Sequence, residues 1–107
     1  MNYVVITGTV SSEPIQEITK DGVLSIKFNI RNEYYSTTKQ IKETTHINCI
    51  AYGNIARYCN NEIYDGAKVL ITGRIVRRHY FIGGTHIDKQ YISCTNVARL
   101  DQEDYGD

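Results

Sequence analysis

Apolar side chains recur mostly at every second position, the period of a β-strand with one covered face and one open face. Over residues 3–10, Val4, Ile6 and Val10 fall on one side and Tyr3, Val5, Thr7 and Thr9 on the other, with Gly8 interrupting the inner row. A glycine inside a strand marks a bend or bulge where a sheet curls towards closure. The Glu13-Pro14 pair ends this strand. Asp21-Gly22 is a turn dipeptide, and the cleanest alternation follows it. Leu24, Ile26, Phe28 and Ile30 point one way, while Ser25, Lys27, Asn29 and Arg31 point the other. One face of this second strand is therefore apolar and its opposite face polar and cationic.

The pattern dissolves over residues 33–43, a polar stretch holding Tyr34, Tyr35, Lys39 and Lys42 that reads as a long loop or protruding hairpin. A third strand is predicted over residues 45–52, with Ile47, Cys49 and Ala51 on one face and His46, Asn48, Ile50 and Tyr52 on the other. Gly53 stops it, and Asn54 is placed to cap a short helix on which Ile55, Cys59 and Ile63 form one apolar stripe. Asp65-Gly66 closes the helix. A long fourth strand over residues 68–81, a Gly83-Gly84 turn and a fifth strand over residues 86–97 complete the chain, with no internal repeat.

Three strands, a helix and a two-stranded hairpin follow the plan of a mainly β OB-fold, a five-stranded Greek-key barrel with one short helix between strands 3 and 4. Closure also removes the unpaired edges that so small an open sheet would expose. A β-sandwich fragment fits less well, because it has no place for the helix.

The 107 residues suit one domain, and 41% apolar with 22% charged residues suits a folded one. Residues 1–100 are expected to form the domain and residues 101–107 a disordered acidic end. The 12 basic and 12 acidic residues cancel, but Asp101, Glu103, Asp104 and Asp107 crowd that end. Residues 1–100 thus hold 12 basic against 8 acidic side chains. Such a body permits a polyanionic partner without requiring one.

Cys49, Cys59 and Cys94 are an odd set with no C-x-x-C pair, so neither a disulfide framework nor a zinc ribbon is indicated. They read as reduced, buried thiols. No apolar run approaches the roughly 18 residues of a membrane span, and no leader pattern opens the chain. The expected address is cytoplasmic. His46, His79 and His86 are dispersed, so no metal site and no cofactor are expected. Phosphate loops, nucleophile elbows and zinc-protease motifs are absent, which argues against an enzyme.

Three segments resemble the bacterial-type single-stranded DNA-binding proteins. Residues 2–10 with Pro14 are similar to that family's opening strand and turn; residues 48–56, Asn-Cys-Ile-Ala-Tyr-Gly-Asn-Ile-Ala, to its third strand entering the helix; and residues 66–75, Gly-Ala-Lys-Val-Leu-Ile-Thr-Gly-Arg-Ile, to the segment after it. Together they span nearly the whole of residues 2–100. The resemblance implies a non-catalytic homotetramer, with a dimer as the alternative, that coats single strands during replication, recombination and repair. It implies a bacterial, nucleoid-associated setting, with an organelle as the alternative. It also places base-stacking positions on Tyr80, on Tyr52 and on Tyr34 or Tyr35, while His46 stands where most members have an aromatic. Members usually end in a flexible linker with an acidic tip that recruits replication and repair proteins. The end here, Asp-Gln-Glu-Asp-Tyr-Gly-Asp, lacks that tip, so such partners are expected only if the full protein continues.

The residues agree independently. Binding a single strand without sequence preference needs cations for phosphates and flat π-faces for bases. By alternation Lys27, Arg31, Tyr52, Arg74, Arg78 and Tyr80 share the non-core faces of their strands, Arg77 sits beside them, and Lys39 and Lys42 flank the tyrosine pair. The candidate DNA-binding set is thus Lys27, Arg31, Tyr34, Tyr35, Lys39, Lys42, His46, Tyr52, Arg74, Arg77, Arg78 and Tyr80. Tyrosine is common in strands anyway, and Tyr58 and Tyr64 are assigned to packing. A cationic strand can also serve only to block edge aggregation. Stacking does not sense the 2′-hydroxyl, so RNA stays open as a second ligand. The rival function is an adaptor of the same fold whose main business is protein contact at a restarting replication fork.

Overall fold

The computed structural model describes residues 1–100; the acidic end at 101–107 lies outside the described residues. Six strands and one helix follow in the order β1 (Val4–Val10), β2 (Ile15–Ile18), β3 (Leu24–Ser36), β4 (Ile41–Tyr52), α1 (Gly53–Glu62), β5 (Lys68–Ile82) and β6 (Thr85–Arg99). The sheet order is β1-β5-β6-β4-β3-β2, and β1 also pairs with β3, which closes the five long strands into a barrel. The helix therefore sits between the third and fourth barrel strands, as the pattern predicts. The sixth strand, β2, is an addition of four exposed residues laid on β3 from Ile15↔Lys27 to Ile18↔Leu24. A segment this short carries too little alternation to announce itself.

Closure depends on two glycines. At Gly8 a Cβ would meet the Arg31 carbonyl oxygen at 3.0 Å and the Ile30 Cβ at 3.1 Å. There β1 passes from pairing with β5 to pairing with β3 through Thr9↔Arg31 and Val10↔Ile30. Gly73 marks an irregularity between β5 and β6, where the register shifts so that Thr95 has no opposite residue. A Cβ at Gly73 would stand 2.2 Å from the Ser93 carbonyl oxygen. Only a residue without a side chain lets the two backbones approach this closely.

The inner rows meet in one core of Val10, Ile26, Phe28, Ile30, Cys49, Val69, Ile71 and their neighbours, joined by Ala56 and Cys59 of α1 and by Ile63 just after it. All three cysteines are buried here as free thiols. The helix start differs from expectation. Tyr52, in extended conformation, occupies the cap position with no side-chain cap bond, and Asn54 instead accepts a hydrogen bond from Arg57 at 2.8 Å. Gly53, at φ +64°, is the first helical residue, so the helix starts two residues earlier than an Asn54 cap requires.

Residues 33–43 form a hairpin. β3 and β4 stay in register out to Ser36↔Ile41, so β4 begins four residues before the strand predicted at 45. The apolar pattern fades because this arm leaves the core and both its faces are wet. The β5–β6 arm is similar, its Gly83-Gly84 turn having both φ angles positive, as a tight two-residue hairpin turn requires.

Candidate nucleic-acid interface

Cross-strand register decides which side chains share a surface. Lys27↔Ile50, Ser25↔Tyr52, Arg31↔His46 and Tyr35↔Lys42 are opposite pairs in the outward rows of β3 and β4. Tyr91↔Asn48 extends this surface on to β6, and Arg74↔Ser93, Arg78↔Lys89 and Tyr80↔Ile87 carry it to β5. Nine of the twelve predicted residues, Lys27, Arg31, Tyr35, Lys42, His46, Tyr52, Arg74, Arg78 and Tyr80, therefore occupy outward rows. Tyr34 and Arg77 occupy the opposite rows of their arms, Tyr34 facing Glu43 and Arg77 facing Gln90. Lys39 lies in the turn between β3 and β4.

The β5–β6 arm curls over the face of β3 and β4. Arg78 Nη2 donates to the Tyr52 hydroxyl at 2.7 Å, although these residues belong to strands that are not neighbours. Beneath this contact runs a trough of about 300 Å³ lined by Glu17, Ser25, Lys27, Ile50, Tyr52, Arg78 and Tyr80 among others. A second depression of about 200 Å³, lined by Asn29, Asn48, Lys89 and Tyr91, shares Lys27 with it. Lys27 Nζ sits 5.9 Å from the centroid of the Tyr91 ring, within cation–π range.

Tyr91 was absent from the predicted set and stands at the centre of this surface. It is only 8% exposed although it points outward. Burial raises its phenol above the ordinary tyrosine range, and a hydrogen bond with Tyr80 adds to this, while Arg78 pulls the other way. The signal for it was present. Ile92 and Cys94 point inward, so alternation sends Tyr91 and Ser93 outward, and Lys89 with them. Tyr52 and Tyr80 are half-buried where they line the trough.

Charge is distributed unevenly. Glu33 accepts from Arg31 Nε at 3.0 Å and from Lys42 Nζ at 2.7 Å, and Lys39 pairs with Glu43 at 3.2 Å. Lys42 first, then Arg31, hold the Glu33 carboxyl below the usual carboxylate range. The cations of the β3–β4 arm are thus engaged with carboxylates. Lys27, Arg74, Arg78 and Lys89 form no ion pair among the described residues. The surface can accordingly hold a polyanion along Lys27 and the root of the β5–β6 arm, with tyrosyl rings beside the charges.

A third, more apolar hollow of about 360 Å³ adjoins this surface, lined by Val4, Ile6, Ile47, Ile75 and Ile92 together with His46, Asn48 and Tyr91. On the opposite side of this first strand, Val5 and the preceding Tyr3 are more than half exposed.

The profile of the single-strand binding protein family matches residues 1–99. Similar curated proteins include single-stranded DNA-binding proteins of Malacoplasma penetrans, 30% identical over 75% of this chain, and of Fusobacterium nucleatum, 27% identical over 91%. A third, from Oceanobacillus iheyensis, is 31% identical over 75% of the chain. The chain spans 41%, 65% and 50% of the length of these three relatives. Among solved structures, a Plasmodium falciparum SSB complex with ssDNA shares the fold at a TM-score of 0.84, covering 94% of this chain and 96% of that one at 18% identity. Among the described residues no helix is long and apolar enough to cross a membrane.

Proposed function

The chain belongs to the single-strand binding protein family, and from that premise we propose that residues 1–100 bind single-stranded DNA without sequence preference in the trough under the β5–β6 arm. The observation that carries this reading is the Arg78–Tyr52 hydrogen bond, which joins a cation and an aromatic from non-neighbouring strands over Lys27, on a surface outside the core. Bases stack on Tyr52 and Tyr80, while Lys27, Arg74, Arg78 and Lys89 neutralise phosphates; no covalent chemistry is involved. Coating of this kind favours unpaired strands and suppresses hairpins, as replication, recombination and repair demand. The register favours Tyr35 over Tyr34 as the stacking residue of the β3–β4 arm, since Tyr35 alone shares the outward row with His46 and Tyr52. His46 supplies at most a weak stack.

The chain is further proposed to self-associate, as a homotetramer with a dimer as the alternative. Support comes from two apolar features, the exposed Tyr3 and Val5 on one side of the first strand and the hollow between β1, β4, β5 and β6 on its other side. Residues 101–107 form an acidic end beyond the binding domain, and a nucleoid-associated cytoplasmic location follows from the ligand.

Titration with oligothymidine of increasing length, read by tyrosine fluorescence, tests the reading. Quenching is expected, with alanine at Tyr52 or Tyr80 costing about 1–3 kcal/mol each, and Tyr35→Ala costing more than Tyr34→Ala. Unchanged affinity when Tyr52 and Tyr80 are both replaced would overturn it. Weak DNA binding beside tight binding of a partner protein would favour the adaptor.

A further inference from the structure

The β5–β6 arm carries a cluster to which the proposed stacking and phosphate contacts assign no role, although one member, His79, also lines the trough. In the ladder His79 stands opposite Asp88, and Phe81 opposite His86, so two histidines seven positions apart in sequence become neighbours on one side of the hairpin. This departs from the dispersed histidines expected from sequence. His79 Nδ1 lies 2.5 Å from Asp88 Oδ1, and His86 Nε2 lies 3.4 Å from the same oxygen. The three ligand atoms all fall within 4.8 Å of one another. Ring contacts hold the orientation: His79 and His86 stack at 5.4 Å between centroids, and Phe81 stacks on His86 at 5.8 Å.

We propose that His79, His86 and Asp88 form a binding site for one divalent transition-metal ion of the zinc class. Zinc takes imidazole nitrogen and carboxylate oxygen at about 2.0–2.2 Å, which in a tetrahedron separates ligand atoms by about 3.3–3.5 Å. The separations present here straddle that value. Side-chain movement of about 1 Å closes the set, and exposures of 48–58% leave room for it within the stacked arrangement. Two imidazoles with one carboxylate select zinc, nickel or copper over magnesium and calcium, which prefer all-oxygen shells. Three protein ligands leave a fourth position for water. Because the ligands come from both strands, a bound ion ties β5 to β6 on the side of the hairpin opposite Arg78 and Tyr80 and stiffens the arm that presents them.

Calorimetric titration of untagged, metal-free protein with Zn²⁺ in a non-coordinating buffer tests this without reference to DNA. One ion per chain is expected. His79→Gln and His86→Gln should each weaken binding at least about tenfold, since even outer-shell partners of metal ligands cost 10–100-fold. His46→Gln, which removes the one histidine outside the cluster, should leave it unchanged. A Co²⁺ complex should lack thiolate absorption, as the three cysteines are buried. Absence of saturable binding, binding that survives both glutamine variants, or binding lost with His46 would each overturn the proposal. Both key variants alter exposed side chains, and circular dichroism verifies their folding.

Discussion

Replacing Lys27 and Arg78 together by glutamine should halve the salt dependence of single-strand binding. The four outward cations without ion pairs among the described residues, Lys27, Arg74, Arg78 and Lys89, each neutralise one phosphate in the proposed mode. Each contributes about 0.7 to the log–log salt slope for single strands, so the native protein should show a slope of about −2.8 per chain. Between about 50 and 200 mM salt its affinity should fall about 50-fold, and that of the double variant, at a slope of about −1.4, about sevenfold. Fluorescence titration with a fixed oligothymidine at four salt concentrations measures both. An unchanged slope in the double variant would refute the assignment of these two residues. A native slope near about −5 would refute the count, because it requires Arg31, Lys39 and Lys42 to leave their carboxylates as well.

That pairing supplies a second prediction. Glu33→Gln releases Arg31 and Lys42, so binding should tighten at low salt and the slope should steepen by up to about 1.4 in the same assay; equal affinity would show that the β3–β4 arm does not touch DNA. Gly73→Ala forces a Cβ to within 2.2 Å of a backbone oxygen, and should destabilise by about 3 kcal/mol or more, seen as a lowered melting temperature. The thiols predict a pH effect. Burial, with the charge of Cys94 second, pushes the Cys59 thiol up to about 12 from 9.0. Cys49 is also raised, by its contact with Cys94 and by burial. Raised thiols stabilise the fold fully below about pH 9 and lose that contribution as pH rises towards 12, at up to about 1.4 kcal/mol per unit for each thiol. Urea midpoints should therefore drop between pH 8.5 and 10.5, and a flat profile would contradict the burial.

The strand period, the turn dipeptides and the helix stripe were all legible along the chain, because alternation and glycine punctuation are local consequences of covering one face. Lys27, Arg31, Tyr52, Arg74 and Arg78 could be assigned to the outward side for the same reason. What local pattern cannot express is which outward residues meet. The β5–β6 arm curls over β3 and β4 only once the barrel closes at Gly8 and Gly73, and that curl brings Arg78 to Tyr52, while Tyr91 lines the adjoining depression that shares Lys27 with the trough. Antiparallel register likewise sets Tyr34 and Tyr35 on opposite faces and brings His79 to His86 and Asp88. Pairing between distant segments is a property of the folded sheet, since register depends on turns and bulges that sum along both strands. Composition and alternation thus settled the kind of surface this protein carries, and barrel closure settled its members.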